Sequence, residues 1–436
     1  MLLSGTQRLN EQGHLEVGGC DCVELARAYG TPLYVLDEAL VRGNCRRYRN
    51  SFAGNYPAQV NIAYAGKALI TQAICKLMAS EGMWLDVASA GELHTALTAG
   101  FPPQRIIVHG NYKSQAELET ALDAGVHQIV LDSLPEIADL EAVARSRGQQ
   151  VAVAVRVAPG IKVHTHTYIQ TGQVDSKFGL GVEGSLALRG LRQAADSPHL
   201  DLRGIHCHIG SQIFGLESYE RAVEIMLDLL VEAQQQGIHL HELNLGGGLG
   251  IRYTHEDAPA PLEQLAETVC TALLRGLEQR RLAPPVLVLE PGRSIVGEAG
   301  LTLYTIGVVK EIPGVRTYLS VDGGLSDNPR PALYQAEYEA VVANKANGKP
   351  TRRVRVSGKH CETDTLIESI TLHDPEPGDV LAVFATGAYN YAMASNYNRF
   401  PKPAMVLVHN GQADVIVERE SLDDMVSHDR VPERLR

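Results

Sequence analysis

Between residues 58 and 292, short apolar runs alternate with segments of helical period, and this alternation constrains the fold more than any other feature. Apolar strands that alternate with helices are typical of a parallel sheet covered by helices. Eight such units predict a (β/α)8 barrel, and a doubly wound open sheet is the alternative. The runs are VNIAYA (60–65), WLDVAS (84–89), IIVHG (106–110), QIVLDS (128–133), VAVAVRV (151–157), LRGIHCHI (202–209), HELNLG (241–246) and VLVLE (286–290).

The segments between these runs carry helix signals. Residues 219–236 repeat apolar side chains with a helical period, which predicts a helix with one buried face. Glycines also stand where a left-handed residue ends a helix before the next strand. The glycines expected to have this role are Gly82, Gly100, Gly125, Gly148 and Gly237.

After residue 298 the pattern changes to short runs that often alternate between apolar and polar residues. These runs predict an antiparallel β domain, and Asn410-Gly411 supplies a hairpin turn between the last two of them. The segment 30–37 (GTPLYVLD) predicts a strand that joins this domain. We therefore expect a barrel over residues 37–297 and a β domain formed by residues 1–36 together with 298–436.

Charge and cysteine content limit the possible partners. The 436 residues carry a formal net charge of −12 and no basic run, which argues against nucleic acid or an anionic membrane as a partner. No uninterrupted apolar stretch approaches 18 residues, and the first residues lack the pattern of a signal peptide. The seven cysteines are odd in number, scattered and without a CxxC pair, so we expect the cytoplasm and no disulfide framework.

Two nearby histidines, His164 and His166, suggest a metal site in the string HTHTYIQTG. Histidines spaced by two residues on a loop are more often exposed to solvent than bound to a metal. We therefore expect no metal, and we expect this stretch to be a loop over the site.

Polar residues follow the predicted barrel strands, where such residues are typically functional. Lys67 follows the first strand, and burial at the rim would disfavour its ammonium form and make it a good imine former. The alternative is a solvated lysine at the start of a loop. The seventh strand leads into three glycines (246–248), which let backbone N–H groups approach a phosphate or else form a plain turn.

The eighth strand ends at Glu290 in the string EPGR. A carboxylate there would keep a pyridinium nitrogen protonated, and Arg293 would hold a carboxylate or phosphate in a bidentate grip. A structural salt bridge between Glu290 and Arg293 is the alternative. After the sixth strand, His208 can lie on a cofactor ring and Ser211 can reach a phosphate, although a lone strand histidine is more often a core residue.

Arg156 and Asp86 end the fifth and second strands and complete the predicted rim. The lysine, the glycine loop, the histidine and the glutamate match the aldehyde, phosphate, ring face and ring nitrogen of pyridoxal 5′-phosphate (PLP). Each signal is weak alone, but their arrangement around one barrel mouth predicts a PLP site.

Several strings resemble known sequence blocks over roughly residues 30–410. YAGKA (64–68), HIGSQI (208–213), GGGLGI (246–251) and EPGRSIVG (290–297) are similar to PLP-dependent decarboxylases with a barrel and a β domain. Five further strings resemble the diaminopimelate decarboxylase family more specifically: GNYKS (110–114), TGQVDSKFG (171–179), DGGLSDNPRPALY (322–334), CETDT (361–365) and GAYNYAMASNYNRFPKPA (387–404).

The resemblance implies a role for each matching residue. Lys67 would bond covalently to the cofactor aldehyde, His208 would stack on the ring, and Glu290 would pair with the ring nitrogen. Cys361 and Glu362 would come from the second subunit of a homodimer, and Cys361, or else Lys67, would return the proton to the product. The residues implied to bind cofactor are Lys67, Asp86, Arg156, His208, Ser211, Gly247, Gly248, Glu290, Gly292, Arg293 and Tyr389. Those implied to bind substrate are Arg293, Arg330, Tyr334, Glu362 and Tyr389.

The implied activity is that of a carboxy-lyase, which converts meso-2,6-diaminopimelate into L-lysine and CO₂ in the last step of lysine biosynthesis. Related decarboxylases that act on ornithine, arginine, carboxynorspermidine or a carrier-bound amino acid are the alternative. A racemase, a class I aldolase without PLP and a barrel that only binds PLP are chemically different alternatives. The β domain at 298–436 argues against the last of these.

Overall fold

The computed structural model describes residues 1–161 and 176–436, so His164 and His166 lie outside the described residues. By its internal contacts the chain divides into two units. The barrel unit comprises Arg42–Ile251 and Ala258–Ile295, and the β unit comprises Met1–Val41, Arg252–Asp257 and Val296–Arg436. The domain limits at residues 37 and 297 remain a prediction.

The described strands are, in chain order, β1 Arg8–Leu9, β2 Leu15–Val17, β3 Cys20–Asp21, β4 Leu33–Asp37, β5 Val60–Ala65, β6 Trp84–Val87, β7 Ile106–Val108, β8 Gln128–Leu131, β9 Val151–Ala158, β10 Leu180–Gly181, β11 Leu200–Cys207, β12 Glu242–Asn244, β13 Val286–Leu289, β14 Gly300–Ile312, β15 Arg316–Val321, β16 Ala340–Val342, β17 Arg352–Ser357, β18 Thr365–Leu372, β19 Val380–Val383, β20 Ala404–His409 and β21 Gln412–Val417. The described helices are α1 Cys22–Tyr29, α2 Glu38–Asn55, α3 Gln72–Ser80, α4 Ala90–Thr98, α5 Gln115–Ala124, α6 Leu134–Arg147, α7 Leu186–Ala195, α8 Glu217–Gln235, α9 Leu262–Arg280, α10 Arg293–Val296, α11 Arg330–Tyr334 and α12 Leu422–Val426. None of these described helices is long and apolar enough to cross a membrane.

A closed parallel barrel forms the centre of the barrel unit. Among the described strands, β5 to β9 and β11 to β13 pair in parallel, and the pairing of β8 with β9 closes the ring. Every one of the eight predicted runs supplies one of these strands. The (β/α)8 barrel is thus confirmed, and the open doubly wound sheet is wrong because an open sheet has two unpaired edges.

Apolar side chains fill the barrel interior. One core cluster takes a residue from each of five barrel strands: Ala63, Ile107, Val130, Ala154 and Val288. Several of these strands are not neighbours in the ring, so their side chains can meet only inside it. The interior is therefore a packed core, and polar groups collect at its ends.

Left-handed glycines end the helices of the barrel as predicted. The five glycines expected in this role have φ angles between +61° and +77°. Helix α8 covers the segment predicted as a helix at 219–236 and buries one face, which includes Met226 and Leu230. The glycines that end helices and the apolar period of α8 therefore favour the same local structure that the barrel requires.

The β unit holds a second, mixed sheet. Its main strand order is β18-β17-β15-β14-β4-β20-β21, with β16 and β19 attached beside β14. Strand β4 joins this sheet as predicted. It pairs with β14 and β20 and buries Leu33 and Val35 in the same core as Leu301 and Val406. Asn410 and Gly411 have φ angles of 48° and 78° and form the predicted hairpin turn.

The description of this sheet as antiparallel needs a correction. Two of its pairings, β4 with β20 and β15 with β17, are parallel. Parallel neighbours cannot be joined by a tight hairpin, and these strands are indeed far apart in the chain. The sequence runs identify strands, but they do not reveal which distant strands become neighbours.

We predict opposite stability effects for alanine at two glycines. Gly148 ends α6 with φ +61°, and Gly43 lies inside α2; neither has an atom within 4 Å of an added Cβ. Gly148→Ala should destabilise the fold by about 1 kcal/mol, because a left-handed backbone is strained for alanine. Gly43→Ala should stabilise it by up to about 1 kcal/mol through helix propensity. Urea unfolding of both variants checks this, and equal shifts in the midpoint would contradict it.

Candidate active site

Glu290 is a buried carboxylate that follows β13, and side chains from three other strand ends surround it. Its Oε1 atom accepts hydrogen bonds from His109 Nε2 at 2.7 Å and from Asn244 Nδ2 at 2.6 Å. Its Oε2 atom accepts one from His206 Nε2 at 3.0 Å. An ionised carboxylate only accepts, so both histidines carry a proton on Nε2. We call these four residues the carboxylate cage.

The cage keeps Glu290 anionic. Burial alone would raise the pKa of Glu290, but His109 and His206 outweigh burial and hold this pKa well below its usual range. Burial alone would likewise lower the pKa of His109, but the carboxylates of Glu290 and Asp86 outweigh it and raise this pKa. Asp86 Oδ1 lies 3.8 Å from His109 Nε2. Glu290 and His109 therefore form a buried ion pair beside a second carboxylate.

His206 has a different role from His109. Burial lowers the pKa of His206 to about 4, although Glu290 opposes the change. The imidazole of His206 is therefore neutral near pH 7 and serves Glu290 as a hydrogen-bond donor. His109 supplies the positive charge of the cage.

Asn244 joins the cage to the glycine loop that follows β12. While its Nδ2 donates to Glu290, its Oδ1 accepts from the backbone N–H of Gly246 at 2.9 Å. The Glu290 N–H in turn donates to the Gly246 carbonyl at 2.7 Å. A Cβ atom on Gly247 would collide with the Glu290 carbonyl, and one on Gly248 would lie 2.5 Å from the Gly210 carbonyl. The fold therefore demands glycine at both positions.

His208 and Ser211 follow β11 and contact this loop and the last strand. The Nδ1 atom of His208 accepts from the Gly247 N–H at 3.3 Å, and Ser211 Oγ accepts from Arg293 Nη2 at 2.9 Å. Burial lowers the pKa of His208 well below its usual range, and the positive charges of Lys67 and Arg156 add to this effect. His208 is therefore a neutral ring among cations.

Lys67 lies in a 3-10 turn, Gly66–Ala68, directly after β5. The side chain is exposed, so the burial that we predicted for this amine is wrong for the chain alone. The turn carries the lysine past the strand end, out of the packed interior. A Cβ atom on Gly292 would lie 3.0 Å from Ala65 and Ala68, so the EPGR segment packs directly against this turn.

Asp86 and Arg156 complete the set at the barrel end. Burial raises the pKa of Asp86, with His109 and Lys67 opposing and Glu290 reinforcing the change. Arg156 is buried, lies 3.8 Å from the Asp132 carboxylate, and stacks 4.5 Å over the ring of Phe178. Burial lowers the pKa of Arg156, although Asp132 opposes this. The structure thus brings the predicted barrel residues together around one strand end.

Three members of the carboxylate cage are not among the residues predicted for the site. His109, His206 and Asn244 stand in or next to predicted apolar runs, where a single polar residue is more often a core residue with a satisfied hydrogen bond. Their position near the C-terminal ends of the third, sixth and seventh barrel strands (β7, β11 and β12) is the sequence feature that indicates a functional role. Only the closed barrel brings them together: its register places His206 opposite Asn244, and the His109 and His206 rings lie 4.7 Å apart.

The remaining predicted site residues belong to the β unit. Arg330 is buried, with its guanidinium 4.5 Å over the Tyr253 ring and one N–H donated to the Tyr338 hydroxyl. Burial alone would lower the pKa of Arg330, but Tyr253 and Tyr338 outweigh it and raise this pKa. Arg330 is therefore a fixed, permanently charged group.

Cys361 and Glu362 are exposed on a loop of this unit. The Cys361 N–H donates to Asn398 Oδ1 at 3.0 Å, and Glu362 accepts from the Tyr397 hydroxyl at 2.5 Å. Tyr334, at the end of α11, is half-buried. Tyr389 is half-buried and has a φ angle of +61°. The roles predicted for the residues of both units remain predictions.

Comparison with known proteins identifies the family. Residues 38–297 match the model of the pyridoxal binding domain of pyridoxal-dependent decarboxylases. The chain is 47% identical over 432 residues to the diaminopimelate decarboxylase of Bacillus subtilis, with 98% of each chain covered. This chain belongs to the diaminopimelate decarboxylase family.

Solved structures of this family have the same architecture. A diaminopimelate decarboxylase from M. jannaschii in complex with L-lysine matches with a TM-score of 0.92 at 34% identity and covers 99% of both chains. One from Helicobacter pylori, also complexed with L-lysine, matches with a TM-score of 0.85 at 32% identity and covers 93% of this chain and 98% of its own. Both likenesses extend over the barrel and the β unit.

The residues at the barrel end fit PLP, the cofactor that the family membership implies. Glu290 offers a buried anion for a protonated ring nitrogen, and Lys67 offers an exposed amine for the aldehyde. Gly247 and Gly248 place backbone without side chains at this barrel end, the kind of segment whose N–H groups can bind a phosphate. Each chemical group of the cofactor thus has a partner among the described residues.

The cage also has a spacing that a metal ion accepts. One possible ligand atom from each of His109, His206 and Glu290 lies within 4.8 Å of the others. Both carboxylate oxygens already receive hydrogen bonds from the histidines, which accounts for this cluster without an ion. We therefore interpret the set as an anchor for a ring nitrogen.

We predict that His206→Leu weakens PLP binding by about tenfold, because a hydrogen bond to a charged group contributes about 1.5–3 kcal/mol. Without this donor, Glu290 is less stabilised as an anion and holds a protonated ring nitrogen less well. Titration of the apoprotein with PLP, followed by absorbance, measures the dissociation constant. His206→Gln keeps an N–H donor and should bind within about threefold of the natural chain. Equal affinities for His206→Leu and the natural chain would contradict this role.

Proposed function

We propose that this chain is a diaminopimelate decarboxylase, which converts meso-2,6-diaminopimelate into L-lysine and CO₂. The observation that carries this proposal is the caged, anionic Glu290 at the same barrel end as an accessible Lys67 amine. The names and coverage of the relatives support the choice of substrate. This reaction would be the last step of lysine biosynthesis.

When bound, PLP supplies the electron sink that accepts the electron pair left on Cα as CO₂ departs. Glu290 would hold the proton on the ring nitrogen, because the cage makes the carboxylate a stable anion. Lys67 would hold the aldehyde carbon, and His208 would lie against the ring. Ser211, Gly247 and Gly248, together with Gly292 and Arg293, would bind on the phosphate side.

Substrate recognition would depend on the two ends of a molecule that carries two ammonium and two carboxylate groups. Arg293, Arg330 and Tyr334 would bind carboxylates, and Glu362 would bind the distal ammonium. Tyr389 would contact both cofactor and substrate. Arg330 is already fixed by its aromatic neighbours, so it would bind a carboxylate at little entropic cost.

Cys361 would return a proton to Cα, with Lys67 as the alternative donor. Cys361 is the exposed thiol, whereas the other six cysteines are buried. We propose that Cys361 and Glu362 act in the site of the partner subunit of a homodimer. The seven free thiols also support the proposed location in the reducing cytoplasm.

We expect purified protein with PLP to release CO₂ and L-lysine from meso-diaminopimelate. L-Ornithine should react slower by on the order of a thousandfold, because it lacks a distal carboxylate and leaves Arg330 unpaired. Coupled CO₂ detection with chromatography of the amino acids measures both rates. Lys67→Ala is the control that should release no CO₂. Comparable rates for L-ornithine and meso-diaminopimelate would show that the substrate assignment is wrong.

The shared site is tested with hybrid dimers of Lys67→Ala and Cys361→Ala chains. Each variant alone should be inactive or strongly impaired. A mixture of the two should recover about a quarter of the natural activity, because half of the dimers are hybrids and each hybrid has one intact site. If each chain used its own Cys361, mixing would recover nothing.

A further inference from the structure

Asp364 joins two loops of the β unit that carry predicted site residues. The first loop, 322–330, ends at Arg330, and the second, 358–364, carries Cys361 and Glu362. The Asp364 side chain is almost completely buried and accepts from both loops. Its Oδ1 accepts from the Leu325 N–H at 2.8 Å, and its Oδ2 accepts from the backbone N–H of His360 at 3.0 Å and from His360 Nδ1 at 2.6 Å.

The surrounding backbone is shaped around this carboxylate. A Cβ atom on Gly324 or on Gly358 would collide with an Asp364 carboxylate oxygen, and Gly324 has a φ angle of +156°. The backbone N–H of Lys359 also donates to the Gly323 carbonyl at 3.0 Å, which ties the two loops a second time. The absence of a side chain at these two glycines therefore leaves the space that the Asp364 carboxylate occupies.

His360 extends the contact to the residues behind Cys361. The His360 side chain is fully buried, lies parallel to the Tyr397 ring at 5.9 Å, and meets the Phe400 ring edge-on at 4.9 Å. Tyr397 donates to Glu362, and the neighbouring Asn398 accepts from the Cys361 backbone. A displacement of His360 would therefore shift Tyr397 and Asn398, the residues that hydrogen-bond to Glu362 and Cys361.

We propose that Asp364 is a positioning residue, which locks the 322–330 and 358–364 loops together so that Arg330, Cys361 and Glu362 are presented in one fixed geometry. This inference rests on the proposed function for the roles of those three residues. Asp364 itself touches neither cofactor nor substrate in this proposal. Its carboxylate acts through the three hydrogen bonds that it accepts from the two loops.

Asp364→Asn is the sharpest change, because it keeps the size of the side chain. An amide has one oxygen and one NH₂ group, so it cannot accept on both sides. The NH₂ group of the amide then faces either the Leu325 N–H or the two donors of His360. Two donors repel each other, so one loop must move. Asp414→Asn is the matched control, because Asp414 is exposed on β21 of the same unit.

The reactivity of Cys361 toward a thiol reagent such as DTNB reports the loop geometry directly, since the other six thiols are buried. We expect Asp364→Asn to change the labelling rate of Cys361 by about tenfold, the factor that one hydrogen bond to a charged group allows. The kcat should fall by a similar factor for the holoenzyme with meso-diaminopimelate. Asp414→Asn should match the natural chain in both measurements.

A second pair of variants separates positioning from loss of folding. His360→Asn keeps an N–H donor where Nδ1 lies and should keep the labelling rate and kcat of the natural chain. His360→Leu removes the donor and should behave like Asp364→Asn. Thermal unfolding and circular dichroism show which variants are folded. The proposal is overturned if folded Asp364→Asn or His360→Leu keeps the labelling rate of Cys361 within twofold of the natural chain, or if labelling and activity change only in proportion to the unfolded fraction.

The labelling measurement needs no substrate. If meso-diaminopimelate is not decarboxylated but the labelling rates change as expected, the proposed function fails and the lock between the loops stands. If decarboxylation occurs and labelling does not change, the lock fails and the proposed function stands.

Discussion

The rest of the site depends on one buried anion, the carboxylate of Glu290. A charge inside a barrel costs several kcal/mol unless partners compensate for it. Here His109 provides an opposite charge, while His206 and Asn244 provide neutral donors. These partners come from the ends of different strands, so the anion is stable only when the barrel has closed. The electrostatic anchor of the site is thus a product of the fold as a whole.

The barrel and its mouth could be predicted from the sequence because buried parallel strands are continuous apolar runs. Local chemistry also identified the left-handed glycines and the Asn410-Gly411 turn. Strands β16 and β18 were missed, because one has only three residues, Ala340–Val342, and the other, Thr365–Leu372, lacks a regular alternation of burial. The parallel pairings of the β unit depend on distant segments, which no local pattern encodes.

The candidate site was predictable where a residue type implies a chemistry, as with Lys67, Glu290 and the glycine loop. It was not predictable where a residue acts through a neighbour. His109 and His206 resemble core histidines until the barrel register brings them to Glu290. The burial expected for the Lys67 amine is wrong for the chain alone, because a short turn carries this residue beyond the end of the strand.

The side-chain amide of Asn244 couples the Glu290 carboxylate to the glycine loop at 246–248, so substitutions at these two places affect each other. One amide group touches both the Glu290 carboxylate and the glycine loop. A disturbance at either end is therefore transmitted through a single rigid side chain over a few ångströms. The energetic effects of alterations at Glu290 and in the glycine loop should therefore be non-additive, and substitutions at the two places would have to be compatible with the same Asn244 amide.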